Sequence, residues 1–419
     1  MEQPEVAEIE AAEIGAAEIE AATHRRALIL VTGLFFLWGV ANNLNDVLIA
    51  HFRHVFTLSD FQSGLIQSAF YLGYFSFAIP AALTMTRFGY KTAVITGLCL
   101  FGSGALLFWP AALTASYYFF LFALFVIASG LAFLETAANP MVASLGPPEA
   151  AERRLNFAQA FNPLGSITGV ILGATLILPA TANEGPETVR NVLAPYSLIA
   201  AVVLFWALLL ARTPFPPVAT EERTTHPITD FGALVRRPLY LAGVLAQFAY
   251  VGAQVGVWSY LIRYVEVALP SLSQRNAAWL LTFSLCLFMI GRFAGTALLT
   301  RMRGAPLMLL FGIVNAILCL IGALIGGTAG VVALVATSFF MSIMFPTIFV
   351  LTLRGLGPLT KSGAAMIVMA IIGGAALTAL MGLVSDSFHS IALAMLVPAG
   401  CFAVVALFST LHLRDPATL

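Results

Sequence analysis

The chain has 419 residues, of which 60% are hydrophobic and 10% charged, against roughly 25% charged in a soluble globular chain. So much apolar side chain over so little polar surface excludes a water-soluble fold. A formal net charge of zero, with no basic face, excludes a nucleic-acid binder.

Met1 to Glu20 holds seven of the 20 acidic residues, and Ala-Glu-Ile recurs at 7, 12 and 17. A signal peptide needs a basic start before its apolar core, so an acidic, solvated tail over 1–26 is expected instead. A bilayer-crossing helix needs roughly 20 apolar residues. On that criterion the predicted spans are 27–50, 61–86, 92–110, 117–144, 155–179, 192–211, 239–265, 276–300, 305–325, 330–353, 362–385 and 390–412. The long run 92–134 is expected to break near Trp109-Pro110 and Ser116, and 304–353 at Gly326-Gly327 and Gly330. Arg212 to Pro238 is the longest connection and contains five prolines. The organisation expected is an N-terminal six-helix bundle (27–211), a cytoplasmic linker (212–238), a C-terminal six-helix bundle (239–413) and a short tail (414–419).

Cytoplasmic loops retain Lys and Arg. With both termini inside, alternating loops place 15 basic residues inside and three (Arg53, Arg190, Arg275) outside. That split predicts an even number of helices and a cytoplasmic N-terminus. A weak internal repeat is visible: Asn139-Pro140 before Leu145-Gly146-Pro147, and Phe345-Pro346 before Leu356-Gly357-Pro358.

Polar groups in hydrocarbon are costly unless they face protein or water, so their helical phase locates a cavity. Trp38, Asn42 and Asp46 follow each other at four-residue steps, flanked by Asn43 and Asn45. Gln67, Tyr71 and Tyr74 share a face, as do Glu135 and Asn139; Asn156, Gln159, Asn162 and Ser166; and Gln247, Gln254 and Trp258. Amides that both donate and accept, beside flat aromatic faces, suit a sugar's ring of hydroxyls and its C–H patches. Taken singly, each amide could serve helix adhesion; five aligned stripes point to a shared cavity.

Few intramembrane bases are present: Arg263 is expected to pair with Glu266, and Arg292 lies in the eighth span. Asp46 and Glu135 are the candidate proton carriers. A carboxyl in a low-dielectric site exchanges its proton as its surroundings alternate between wet and dry. Permanent satisfaction by neighbouring amides is the alternative, and Asp46 lies toward the outer end of its span. The cysteines 99, 286, 319 and 401 show no CxxC spacing or nearby His cluster, so no metal site is expected and no cofactor beyond the proton.

At these residues the sequence resembles the fucose:proton symporter family of the major facilitator superfamily. The matching stretches are Leu34-Phe35-Phe36-Leu37-Trp38, Ala41-Asn42-Asn43-Leu44-Asn45-Asp46, Gly64-Leu65-Ile66-Gln67-Ser68-Ala69-Phe70-Tyr71, Leu134-Glu135-Thr136-Ala137-Ala138-Asn139-Pro140 and Gln247-Phe248 through Trp258-Ser259-Tyr260, with Ile367-Val368-Met369 near the end. The resemblance implies an all-α integral membrane protein with twelve transmembrane helices in two six-helix bundles. It implies import of a neutral monosaccharide with a proton by alternating access, as a monomer in a bacterial inner membrane. It places proton coupling on Asp46 and Glu135, with Glu135 also meeting sugar. Sugar contact falls on Asn43, Gln159 and Asn162, and Trp38 and Trp258 match cavity aromatics. Gln67 and Gln254 join the substrate set from the stripes above. Two departures stand out. The loop Thr86-Arg87-Phe88-Gly89 lacks the acid the superfamily usually carries there, and Ser362 stands where the fucose symporter has Tyr.

A sodium-coupled or uniport sugar carrier is the alternative within transporters. A membrane-embedded enzyme or sensor is the alternative outside them, and the sequence contains no Walker A, HExxH or GxSxG pattern for it.

Overall fold

The structure, a computed structural model, describes residues 26–41, 60–176, 192–215, 227–272 and 274–414. Every regular element among them is helical: α1 (Arg26–Ala41), α2 (Asp60–Leu106), α3 (Phe108–Leu113), α4 (Tyr117–Ser144), α5 (Ala151–Gln159), α6 (Phe161–Leu176), α7 (Leu193–Arg212), α8 (Pro227–Val235), α9 (Pro238–Ala268), α10 (Gln274–Leu298), α11 (Gly304–Leu324), α12 (Gly327–Met341), α13 (Met344–Leu353), α14 (Thr360–Met369), α15 (Gly373–Phe388) and α16 (Leu396–Arg414). α2 is two arms that meet at Gly89, whose φ of 84° breaks the helix, and α3 prolongs the second arm. The pairs α5–α6, α12–α13 and α14–α15 are single crossings interrupted inside. These elements make twelve transmembrane helices in two six-helix bundles.

Two expected breaks shift. Trp109-Pro110 lies inside α3, because a proline in the first turn sacrifices no intrahelical hydrogen bond. The chain turns at Ala115 (φ 45°), beside the expected break at Ser116, whose side chain accepts from the Phe119 N–H to cap α4. Gly326 and Gly327, at φ 67° and 55°, make the later break, whereas Gly330 is inside α12. The Tyr264 hydroxyl, donating to the Gly322 carbonyl at 2.6 Å, occupies the space a Gly330 side chain would need. The connection after α7 holds a helix the sequence reading did not anticipate, α8. It docks through Ser362, whose hydroxyl donates to Asp230 Oδ2 at 3.1 Å in a buried setting.

Without a water-driven hydrophobic effect between helices, close backbone approach and packing join them. Glycine supplies that approach, and it does so in the same places in both halves. A Cβ at Gly165 on α6 would come to 2.0 Å from the Phe36 carbonyl oxygen of α1; on the counterpart pair, a Cβ at Gly373 on α15 would come to 2.2 Å from the Phe248 carbonyl of α9. Gly73 of α2 seats against Phe125 of α4 as Gly291 of α10 seats against Phe339 of α12. Gly102 meets Leu204 of α7 as Gly312 of α11 meets Ala406 of α16. The weak repeat read from two prolines is therefore a repeat of helix pairs.

Replacing Gly165 by Leu is expected to force α1 off α6, at about 1–3 kcal/mol for overpacking. The yield of monodisperse protein in detergent and its thermal midpoint should both fall. Gly400→Ala, where nothing lies within 4 Å of the added carbon, should leave both unchanged.

Candidate functional site

The interrupted helices bring the polar stripes together. α4 carries Glu135, 3% exposed, and Asn139, fully buried. Tyr74 of α2, 3% exposed, lies within electrostatic reach of Glu135, of Trp38 on α1 and of Tyr71. Trp38 stacks on Phe35 at 5.8 Å. Among the described residues no ion pair or hydrogen bond to the Glu135 carboxyl is present, so no cation among them satisfies it.

One turn further along α4, Asn139 Oδ1 accepts from Gln159 Nε2 at 2.9 Å. Gln159 ends α5, just before the break at Ala160 that lets α6 set off afresh. On α6, Asn162 Nδ2 donates to the Phe35 carbonyl of α1 at 3.2 Å. In the second half, Trp258 of α9 donates to Ser338 Oγ of α12 at 3.0 Å, and Ser338 shares a 2.5 Å bond with Ser284 of α10. Phe288 meets the Trp258 indole edge-on at 5.1 Å. Gln254 is on the same helix and partly exposed.

Of the expected site residues, Trp38 and Glu135 form one group with the tyrosines, Gln159 joins Asn139, Asn162 is tied to α1, and Trp258 is fixed by the second half. Asn43 and Asp46 lie outside the described residues. Gln67 is in α2, and its side chain is outside the described set. Arg263, expected to pair with Glu266, sits instead over the Tyr260 ring at 4.6 Å. No group of three or more His, Cys, Asp or Glu that could hold a metal occurs among the described residues.

Sequence reasoning missed the contacts between the halves. Arg154 clasps the carbonyls of Val142, Ala143, Gly146 and Pro147, which makes the turn between α4 and α5 rigid. That turn presents Glu152. Its Oε1 accepts from Arg354 Nη2 at 2.6 Å, and its Oε2 accepts from the Gly304 N–H at the start of α11 at 2.8 Å. A carboxylate at a helix N-terminus is favoured by the helix dipole. Nearby, Asn156 Nδ2 donates to Thr347 Oγ1 at 3.2 Å. Lys361 lies over the Tyr90 ring at 5.5 Å. The cross-half tie at the Thr86-Gly89 loop, which lacks its usual acid, is thus a cation over an aromatic face. The second departure, Ser362, belongs to this same end, where it holds the linker helix.

Helix pairs repeated across two halves, with buried amides and a carboxyl between them, define a polytopic carrier. The Major Facilitator Superfamily pattern matches residues 30–377, and the chain belongs to that superfamily. It is 45% identical over 400 residues to the L-fucose-proton symporter of Escherichia coli (strain K12), covering 91% of each chain. It is 38% identical over 387 residues to a glucose/galactose transporter of Brucella abortus, covering 91% of this chain and 93% of that one. Among solved structures it is similar to the transporter FucP in the outward conformation (TM-score 0.86, 44% identity, 93% of this chain and 99% of that one). The proton:xylose symporter XylE shares the fold at 14% identity (TM-score 0.76, 93% of this chain and 95% of that one).

Glu152→Gln removes the charge from two bonds, each worth about 1.5–3 kcal/mol when charge-assisted. It is expected to raise the open population of this end. With the native cysteines replaced, a reporter introduced by Thr347→Cys should react with N-ethylmaleimide about tenfold faster in the Glu152→Gln background.

Proposed function

We propose that this chain is a secondary active transporter that imports a neutral monosaccharide together with a proton by alternating access. The observation that carries the reading is Glu135: a carboxyl buried in a membrane helix, with no cation paired to it among the described residues, beside Tyr74 and one turn from the Asn139–Gln159 amide pair. Such a group is costly in a purely structural role and is the expected mark of an ion pathway. Relatives named for fucose-proton symport and for glucose and galactose transport support the substrate class.

In this reading Asp46 and Glu135 carry the proton. Trp38, Asn43, Gln67, Glu135, Gln159, Asn162, Gln254 and Trp258 line the sugar path. The first bundle spans 27–211 and the second 239–413, joined through 212–238. The end closed by Glu152 faces the cytoplasm. That side gathers Arg87, Lys91, Arg153, Arg154, Arg301, Arg303, Arg354 and Lys361, in keeping with retention of basic loops inside. Both termini lie on that side of a bacterial inner membrane, the working unit is a monomer, and the binding site opens outward. No metal or organic cofactor takes part.

In proteoliposomes, L-fucose, D-glucose or D-galactose is expected to drive alkalinisation of the outside medium, independent of sodium. Sugar accumulation with neither alkalinisation nor dependence on a pH gradient would refute proton coupling, and sodium dependence would favour the sodium-coupled alternative. Glu135→Gln should abolish accumulation against a gradient while leaving the protein monodisperse and still able to exchange labelled for unlabelled sugar.

A further inference from the structure

Arg292 is the buried base of α10, 4% exposed. Its Nη1 donates to two oxygens of Gln159, the main-chain carbonyl at 3.0 Å and the side-chain Oε1 at 2.9 Å. Phe288 lies 4.9 Å beneath the guanidinium, and the Tyr250 hydroxyl of α9 stands beside it. Among the described residues no carboxylate pairs with it, and its Nε has no protein partner.

Three features of this arrangement matter. First, the bonds cross from the second half to the first. Second, they land on the residue at the α5–α6 break, where the backbone is free to change direction. Third, they meet the amide assigned to the sugar. Gln159 is committed at both ends, its oxygen to Arg292 and its nitrogen to Asn139. A sugar hydroxyl that engages this amide must compete for it or turn it, and turning it loosens the cross-half bond. Neutral partners do not neutralise a guanidinium in a low-dielectric site, so the cation gains hydration when the halves part. The contact is strong enough to hold and is poised to be released.

We propose that Arg292 is a positioning residue that acts as a substrate-sensitive latch: it orients Gln159 and, through that amide, holds the two halves together at the Glu152 end until substrate loosens it. The substrate half of this inference rests on the sugar reading above; the latch itself does not.

The test places spin labels at Arg153 and Arg301, both exposed and on opposite halves at that end, in full-length protein in lipid nanodiscs. Double electron–electron resonance reads their separation. Without sugar, Arg292→Met is expected to move the distribution to longer distances than in the parent. In the parent, saturating sugar should move it the same way; in Arg292→Met that response should be lost, and apparent sugar affinity should fall about tenfold. Arg292→Lys, which keeps the charge with a shorter reach, should shift the distribution partway, and it carries the test if Arg292→Met does not yield folded protein. A distribution unchanged in both variants without sugar overturns the latch. A shift without sugar whose response to sugar nevertheless survives overturns the substrate sensitivity. If the parent binds no monosaccharide by equilibrium dialysis, the sugar reading fails, and the sugar-free comparison still decides the latch.

Discussion

Hydrocarbon cannot hydrogen-bond, so each polar atom in the membrane must find its partner within the protein or face water. Most of this chain obeys closely. Thr136 bonds back to the Ala132 carbonyl at 2.7 Å, Trp206 reaches the Leu30 carbonyl at 3.0 Å, and Tyr240 reaches the Gly363 carbonyl at 2.8 Å. The exceptions have a pattern. Among the described residues, Asn139 Nδ2, Asn156 Oδ1, both amide atoms of Gln247, Arg292 Nε and Thr378 Oγ1 are buried without a protein partner. They stand on α4, α5, α9, α10 and α15, in both halves. The solvent's constraint is relaxed where the protein must receive something polar.

The repeat explains why the site lies there. Each half pairs the same helices through glycine, and each interrupts the same crossing: α5–α6 in the first, and α14–α15, through a short 3₁₀ turn at Ala370–Ile372, in the second. Interrupted membrane helices at corresponding positions are a common way to build a midplane site. The two halves share a frame and not a chemistry. The first supplies the carboxyl, the amides and the tyrosines around Glu135. The second supplies an indole anchored on serines and a cation. In the proposed function, a molecule held between them would touch acceptors on one side and an aromatic face on the other, so movement of one half against the other would change every contact together.

Much of this could be read from sequence, because membrane spans are set by length and their faces by a 3.6-residue period. Helical phase put Trp38, Glu135, Asn139 and Gln159 each on the polar face of its own helix, and the five aligned stripes pointed to a shared cavity. Register between distant segments was not legible. Glu152 and Arg354 are 202 residues apart and Gln159 and Arg292 are 133 apart; nothing local marks either pair. Arg292 therefore read as one isolated base, when it is the cross-half partner of a predicted sugar contact. Ser362 read as a departure from the family, and the bond it makes to Asp230 on α8 was not legible. Trp109-Pro110 read as a break because proline position within a helix is decided by where the helix starts, and that start is set by packing.

Magnitudes set the kind of machine this can be. Moving a two-state equilibrium from 1:99 to 99:1 takes about 5.5 kcal/mol. A hydrogen bond to a charged group contributes about 1.5–3 kcal/mol. Glu152 makes two such bonds across the halves and Arg292 makes two more, so the charged ties at the closed end are enough to hold one state. Many further bonds would lock the carrier beyond the reach of a single proton or a single sugar. Fewer would leave both sides leaky. The lack of a carboxylate partner for Arg292 among the described residues fits that balance. A full ion pair in the low-dielectric interior would be costly to break, whereas a guanidinium held by the oxygens of one glutamine can be released by rotating one amide.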